Sequence, residues 1–413
     1  MEVRNRNLLA KAEPDTVVTN NVQSEKDGKS GISRMWDSLA PKWKNWWVRA
    51  VFAFTMIAIF VLTIQLGPFG LSLLVFLVQL KAIQEIVSIS YQKYIQQNLP
   101  QNLPLFRSLN WYFVFVVSYY SYGLTIQHLF DEFDDRSHIN QLFKSYHLFI
   151  SFFLYMVGFI VFVLTLKKGF YKIQFKLYGW AHLAIMLFMT LGHFILQSVV
   201  SSIYWFILPI CTVICNDIFA YIFGFFLGRT PLISLSPKKT WEGFIGGMVV
   251  TILFVFFFSA YLAQFPTMVC PISSQVSAFP YTLNCTPSDV FTPTYYTLSQ
   301  LDTGVYLYPC QLHALVFAVF GSLIAPFGGF FASGFKRAFK LKDFDDLIPG
   351  HGGVIDRFDC QFLMASFVYV YMITFLPQTD LEKLTRMLLD LPTEDQLLIH
   401  SRLSSNLNSL GLL

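Results

Sequence analysis

Charge is what this sequence has least of: Asp, Glu, Lys and Arg make up 13% of its 413 residues, against about a quarter in an ordinary soluble domain. The formal net charge is only +4, and no basic face runs through otherwise polar sequence, which excludes a nucleic-acid-binding protein. The six cysteines form no CxxC pair and no Cys/His spacing of the kind that holds zinc. Residues 1–45 lack apolar periodicity, so they read as a disordered tail and not as a signal peptide. The stretch 265–311 contains no Lys or Arg at all.

What fills the space left by charge is hydrocarbon and aromatic surface. Hydrophobic residues reach 54%, with 45 Phe, 20 Tyr and 8 Trp, and the mean hydropathy is +0.52. A membrane-spanning helix needs roughly 20 mostly apolar residues. Such runs lie at about 49–66, 69–88, 111–130, 146–166, 179–197, 202–227, 243–264, 312–332 and 360–376. Trp and Tyr gather near their ends, as at a membrane interface; Trp43, Trp46 and Trp47 with Lys42, Lys44 and Arg49 form such a collar before the first run. The expected fold is therefore all-α, a polytopic transmembrane helical bundle of about nine spans over residues 46–376. A cytoplasmic tail (1–45) precedes it and an amphipathic tail (377–413) follows. In the latter, Thr379 with Glu382 and Thr393 with Gln396 have capping-box spacing, and Leu381, Leu384, Leu388 and Leu391 share a helical face.

Lys and Arg in the short loops set the orientation. Residues 167–178 carry four lysines, 228–242 carry Arg229, Lys238 and Lys239, and 333–359 carry Lys336, Arg337, Lys340, Lys342 and Arg357. These alternate with an acidic loop around Asp131–Asp135 and with the stretch 265–311, which has no Lys or Arg. The N-terminus and the basic loops then face the cytoplasm. The opposite loop holds Cys270, Cys285 and Cys310, two of which could pair in an oxidising compartment, and the sequon Asn284-Cys285-Thr286. Cys211, Cys215 and Cys360 read as buried small hydrophobes.

Three groups of polar residues need a chemical reason. Lys81 and Glu85 sit in the second apolar run, four apart, where they can neutralise one another; an intramembrane charge is as easily functional as structural. His182 and His193 read as satisfied core or interfacial histidines before they read as ligands. Asn216-Asp217 lies near the cytoplasmic end of a span, and an unpaired carboxylate at mid-bilayer costs about 2.5–3.5 kcal/mol, so Asp217 should face a polar cavity, a cation or a partner charge. Ala220, Gly224 and Gly228 follow on one face suited to close helix packing.

Next comes Ser236-Pro237-Lys238-Lys239-Thr240-Trp241-Glu242-Gly243. Ser236 is expected to cap and Pro237 to open a helix, which would place two lysines against the helix dipole; a bound anion would explain them, and a plain positive-inside anchor is the simpler reading of the lysines alone. The third cluster, Ser333 to Asp359, combines concentrated cations, five aspartates and a Gly-His-Gly-Gly turn around His351, Gly352 and Gly353. Cations neutralise phosphate oxygens, glycines let backbone approach them, and carboxylates with substrate phosphates are the usual Mg²⁺ environment.

This third cluster resembles the signature of the CDP-diacylglycerol synthase family, also called phosphatidate cytidylyltransferases, of the eukaryotic branch. The match reads S-x-F-K-R, a K-D pair, then P-x-H-G-G-x-x-D-R-x-D, carried by Ser333, Lys336, Arg337, Lys342, Asp343, Pro349, His351, Gly352, Gly353, Asp356, Arg357 and Asp359. The segments Asn216–Pro231 and Ser236–Gly247 resemble it as well, and the likeness extends from about Trp43 to Leu376. It implies transfer of a cytidylyl group from CTP to phosphatidic acid, a bilayer-embedded homodimer in the endoplasmic reticulum, and a cytoplasm-facing site. It implies Mg²⁺ held by Asp343, Asp356 and Asp359, with a second monovalent or divalent ion conceivable. Lys239, Lys336, Arg337, His351 and Arg357 would be catalytic, and Asn216, Asp217, Ser236, Lys238, Thr240, Glu242, Ser333, Lys342, Gly352 and Gly353 would bind substrate. Two competing classes fit less well. A transporter or channel would line a path across the bilayer with its charges, whereas here they concentrate in cytoplasmic segments. A CDP-alcohol phosphotransferase would need a D-G-x-x-A-R core, which is absent, and a CTP-dependent polyprenol kinase would not be expected to carry the full signature.

Overall fold

A computed structural model describes residues 41–95, 105–130, 138–271, 275–277, 282–283, 285–298, 303–345, 352–376, 384–385, 388–389 and 391–411. The tail 1–40, Asn284 of the sequon and His351 lie outside the described residues. The chain divides into a short unit ending at Ile57 and a main unit from Ala58 to Leu413. The described part of the first is the opening of helix α1 (Pro41–Gln65), which turns Val51, Phe54 and Ile57 outward.

The main unit is built of α2 (Gly67–Ile95), α3 (Phe106–Phe130), α4 (His138–Leu164), α5 (Tyr171–Ser201), α6 (Ile203–Leu227), α7 (Trp241–Leu262), the one-turn α8 (Pro266–Val269), α9 (Pro309–Leu323), α10 (Pro326–Phe339), α11 (Ile355–Phe375) and α12 (Thr393–Ser409). Among the described residues, seven helical stretches are long and apolar enough to cross a membrane. They cover seven of the nine expected runs, and α1 and α3 carry the other two. Side chains such as Phe225, Phe226 and Phe331 are more than 70% exposed. In water such surface would be a liability; in a bilayer lipid covers it, and the fold is that of a multi-pass membrane protein.

Small residues bring the helices together. A Cβ on Gly243 would lie 2.5 Å from the Ala220 carbonyl oxygen, and one on Gly247 would lie 3.0 Å from Ala220 N. Hence α6 and α7 pack backbone to backbone, on the face predicted from Ala220 and Gly224. Buried polar groups tie other helices: Gln79 of α2 donates to the Phe188 carbonyl of α5 at 2.6 Å and accepts from Tyr122 of α3. Tyr204 and Ser259 hydroxyls bond at 2.6 Å beside Cys310. His182, half-buried, bonds the Tyr178 carbonyl at 2.9 Å through Nδ1 and packs on Phe113, while its Nε2 has no protein partner; His193, also half-buried, packs beside Tyr369.

Several boundaries differ from the sequence expectation. The run 312–332 is broken at Ile324–Ala325 into α9 and α10, since Pro326 cannot continue the hydrogen-bond ladder but can start a new helix. Helix α10 continues to Phe339, so Lys336 and Arg337 stand on a helical last turn, where cations suit the dipole, and not in a loop. Helix α11 begins at Ile355, which makes Asp356 and Asp359 helical too. The stretch 265–311 is not all irregular: β1 (Gln275–Ser277) pairs with β2 (Thr282–Leu283) and β3 (Thr294–Leu298) with β4 (Thr303–Leu307), both antiparallel. Cys270 and Cys285 are joined, leaving Cys310 as the odd, buried thiol. In the C-terminal segment the capping box at Thr393 does not form. Pro392 is the cap, and the Gln396 amide donates to the Leu389 and Leu391 carbonyls instead.

The α6–α7 seam has no room for a side chain, so Gly243→Val is expected to cost about 1–3 kcal/mol by overpacking. Thermal unfolding of the purified variant in detergent checks this, and an unchanged Tm would contradict the seam.

Candidate active site

Three segments converge at one end of the bundle: the α6–α7 connection (228–240), the end of α10 with residues 340–345, and the first turns of α11. The connection folds back on itself. Leu232 N donates to Lys239 O at 2.8 Å and Trp241 N to Thr230 O at 3.0 Å. Lys239 N donates to Ser236 O at 3.0 Å, closing a turn with Pro237 in the second position that turns favour. This corrects the expectation that Ser236 caps a helix: the turn and the cross-connection bonds use the amides of Lys239 and Trp241, so the helix starts later. Thr240 is the N-cap, accepting from Gly243 N at 3.2 Å. Glu242 then reaches back to accept from Arg229 N at 3.1 Å and from the Thr230 hydroxyl at 2.7 Å. Lys238 and Lys239 are thus displayed, exposed, on a pinned turn one residue before the helix and its cap.

The second element is a clasp around Asp356. Its Oδ1 accepts from Lys336 Nζ at 2.5 Å, while Oδ2 accepts from Phe344 N at 2.9 Å and Gly353 N at 3.1 Å. The Asp356 side chain is 6% exposed, and burying a carboxylate is affordable only with such full pairing. One carboxylate therefore joins the end of α10, the segment 340–345 and the start of α11. Gly352 has φ +79°, and a Cβ on it would lie 3.1 Å from Asp356 Oδ2 and 3.5 Å from Asp343 Cβ. Both the left-handed backbone and the tight fit call for glycine here.

The third element comes from a distant helix. Glu85 of α2, 1% exposed, accepts from Val354 N at 2.8 Å and from Ile355 N at 3.0 Å. It fills the place of an N-cap for α11, from 269 residues away, and puts a negative charge on the positive end of that helix. A Cβ on Gly353 would lie 2.7 Å from Glu85 Oε2, so the glycine makes room for the carboxylate. The expected pairing of Glu85 with Lys81 is replaced: Lys81 Nζ lies 3.1 Å from Asp345 Oδ2 and 3.4 Å from Gln84 Oε1. Sequence showed that the Glu85 charge needed an answer within the membrane; nothing in local spacing showed that helix α11 supplies it.

Between these elements Asp217 of α6 and Asp359 of α11 act electrostatically on one another, with Lys239 and Arg357 beside Asp217. Asp217 is exposed to solvent. Asp359 Oδ1 accepts from Cys360 N at 2.7 Å, and α10 approaches through Gly328 and Gly329; a Cβ on Gly329 would lie 3.4 Å from Asp359 Oδ2. Gln361 fastens α11 to α6 by donating to Ile210 O at 3.2 Å. Next to Asp217, Asn216 is 3% exposed and its Oδ1 has no protein partner.

The remaining sequence candidates divide. Arg337 and Lys342 are exposed at this end of the bundle. The Ser333 hydroxyl donates within its own helix to Gly329 O at 2.8 Å. The three aspartates expected to share a metal differ in their contacts: Asp356 has both oxygens bonded by protein, Asp343 flanks Gly352, and Asp359 accepts from Cys360 N and feels the charge of Asp217. No group of three carboxylate, His or Cys side chains suited to a metal occurs among the described residues. The Asp217 and Asp359 carboxylates, which influence one another electrostatically, are nonetheless hard oxygen donors of the type Mg²⁺ takes together with substrate phosphates. The donor chemistry fits at Asp217 and Asp359 better than at Asp356.

Comparison with known proteins places the chain in context. A model of the cytidylyltransferase family matches residues 47–375. The chain is 45% identical over 388 residues to phosphatidate cytidylyltransferase 1 of Rattus norvegicus, covering 92% of this chain and 83% of the relative. It is 44% identical over 396 residues to phosphatidate cytidylyltransferase 2 of Homo sapiens, 94% and 88% of the two chains. To the phosphatidate cytidylyltransferase of Caenorhabditis elegans it is 41% identical over 389 residues, 92% and 82% of the two.

Glu85→Ala would leave the Val354 and Ile355 amides unanswered in an apolar setting, at an expected cost of about 2–3 kcal/mol. Glu85→Gln keeps an acceptor and should lose less. Thermal unfolding in detergent separates the two, and equal stability of Glu85→Ala and wild type would exclude the clasp.

Proposed function

The chain belongs to the cytidylyltransferase family, and on that premise we propose that it transfers the cytidylyl group of CTP to phosphatidic acid, giving CDP-diacylglycerol and pyrophosphate. The observation that carries this reading is that Asp217, Asp359, Lys239 and Arg357 lie close enough to influence one another electrostatically at one end of a membrane bundle. Both reactants are strongly anionic, and catalysis of such transfers is mostly positioning and charge neutralisation. An oxygen of the phosphatidate monoester forms the new P–O bond to the α-phosphorus of CTP as the bond to the β,γ-pyrophosphate breaks. That oxygen is already ionised, so no general base is required.

Lys239, on its pinned turn, and Arg357, on the first turn of α11, flank the reacting phosphates and offset their charge. Lys336 is oriented by Asp356, so the clasp fixes a cation at a defined height on α10. Arg337 and Lys238 complete the basic rim that receives the triphosphate. Asp217 and Asp359, with the Asn216 amide oxygen, would hold Mg²⁺, which when bound supplies further charge neutralisation on the nucleotide phosphates. Gly352 and Gly353 let the backbone wrap Asp356 and Glu85, so their part is to shape the site.

We place this site on the cytoplasmic face, where CTP is available. The supporting observation is the Cys270–Cys285 disulfide, which follows α7 at the end opposite the lysine turn; disulfides persist in oxidising compartments, and the helix runs between the two. The basic loops agree in direction. The endoplasmic reticulum membrane and a homodimeric assembly complete the reading, on the strength of the family resemblance.

The test is turnover of labelled CTP by the purified full chain in detergent with phosphatidic acid and Mg²⁺. Lipid-linked CMP and pyrophosphate should appear in equal amounts. Asp359→Asn should lower kcat by about 10²-fold or more with little change in Tm, whereas Asp356→Asn should lower both activity and Tm. No product from folded wild type would overturn the reaction, and a fully active Asp359→Asn would remove Asp359 from the site.

A further inference from the structure

Resting on the reaction proposed above, we infer that the groove along the outer face of α10 holds an acyl chain of the lipid substrate. Its walls and floor are Phe327, Phe330, Phe331, Gly334 and Ala338 of α10, with Leu235 reaching over from the α6–α7 connection, and it offers about 520 Å³. The spacing of these residues keeps them on one helix face. Gly334 forms an open stretch of floor, since a Cβ there would meet only Leu235, at 3.4 Å. Phe327 and Phe331 stand more than half exposed at the rim.

Length and charge identify the occupant. From Phe327 to Ala338 the helix rises about 16 Å, roughly half the ~30 Å hydrocarbon thickness and so the depth of one leaflet. One end lies at the helix break beside Pro326, within the span Pro309–Phe339. The other end reaches the basic rim: Arg337 follows Phe330 by seven residues, two turns along the same side, and Leu235 immediately precedes the turn that carries Lys238 and Lys239. A molecule with a single-leaflet apolar chain and a phosphate monoester head satisfies both ends at once. A peptide segment or a second copy of the chain would fill the apolar part and leave the cations unanswered.

The groove also communicates with the Asp356 clasp. Phe335 forms its inner wall and stacks on Phe339 at 4.4 Å and on Phe344 at 5.4 Å. Lys336 Nζ lies 5.7 Å from the Phe344 ring centre, and Phe344 N holds Asp356. A chain lying against Phe335 therefore bears on the aromatic stack that sets the height of Lys336.

Filling the floor tests this. With the full chain in mixed micelles, Gly334→Leu should raise KM for dioleoyl phosphatidic acid about tenfold, the worth of about two buried methylenes, while kcat/KM for the dihexanoyl lipid and KM for CTP stay within about twofold. Equal losses on long-chain and short-chain lipid, or no loss on either, would overturn the groove. Independently, a phosphatidic acid with a diazirine in its acyl chain should label the peptide 327–338, competed by unlabelled lipid; labelling confined to other helices would overturn the assignment. A wild type that makes no nucleotide-linked lipid from either substrate would overturn the proposed reaction instead, and the photolabelling would still decide whether a lipid chain lies here.

Discussion

The Glu85 carboxylate, held by two backbone amides at the start of α11, is the contact on which the geometry of this site rests. Helix α11 carries Asp356, Arg357 and Asp359 within its first five residues, so whatever fixes the beginning of that helix fixes all three. In an apolar bundle the first amides of a helix have no water to bond. A carboxylate buried in the same place has none either. Each group resolves the other's cost, and the price of separating them is what gives the arrangement its rigidity. Gly353 is the steric condition for the contact, because any side chain there would occupy the position of Glu85 Oε2.

Asp356 extends the same logic to two more segments. It gathers Lys336 from α10, Phe344 from the segment beyond it and Gly353 from its own approach. Four pieces of chain, including α2 through Glu85, are thereby locked into one frame at the membrane edge. Of the charges in this frame, Lys336 also serves the proposed reaction, whereas the Glu85 and Asp356 carboxylates serve the frame. Asp217 and Asp359 influence one another electrostatically, and Lys239 and Arg357 act on Asp217. Such a division is economical in a medium where each unpaired charge is expensive. Among the described residues, the Glu85 and Asp356 carboxylates are completed by protein donors.

The break between α9 and α10 serves the same end. A single uninterrupted helix through residues 309–339 would be long enough to cross the bilayer and continue beyond it. Interruption at Pro326 lets α10 take its own course, bringing Gly328 and Gly329 against Asp359 and laying an apolar face along one leaflet. The lysine turn closes over that face through Leu235. Phosphate chemistry and lipid contact thus share one short helix, polar at its last turn and apolar along the rest.

Much of this was legible from residues in order. The scarcity of charge and the length of the apolar runs determined a multi-pass helical membrane protein, because burying backbone in lipid permits little else. The fixed spacing from Ser333 to Asp359 determined the family resemblance, and the small residues at 220, 224 and 228 announced a close helix seam. What sequence could not determine was which carboxylate does what. Asp356 and Asp359 stand three apart on one helix and look equivalent in a motif, yet one is consumed by Lys336 and two amides and the other feels the charge of Asp217. Lys81 and Glu85 look like partners at four residues' spacing, yet each is claimed by a segment some 260 residues away. Local spacing reports which side chains can share a helix face. The choice of partner belongs to tertiary structure, because in a low-dielectric interior a charge goes to the donors that can complete it, wherever along the chain they arise.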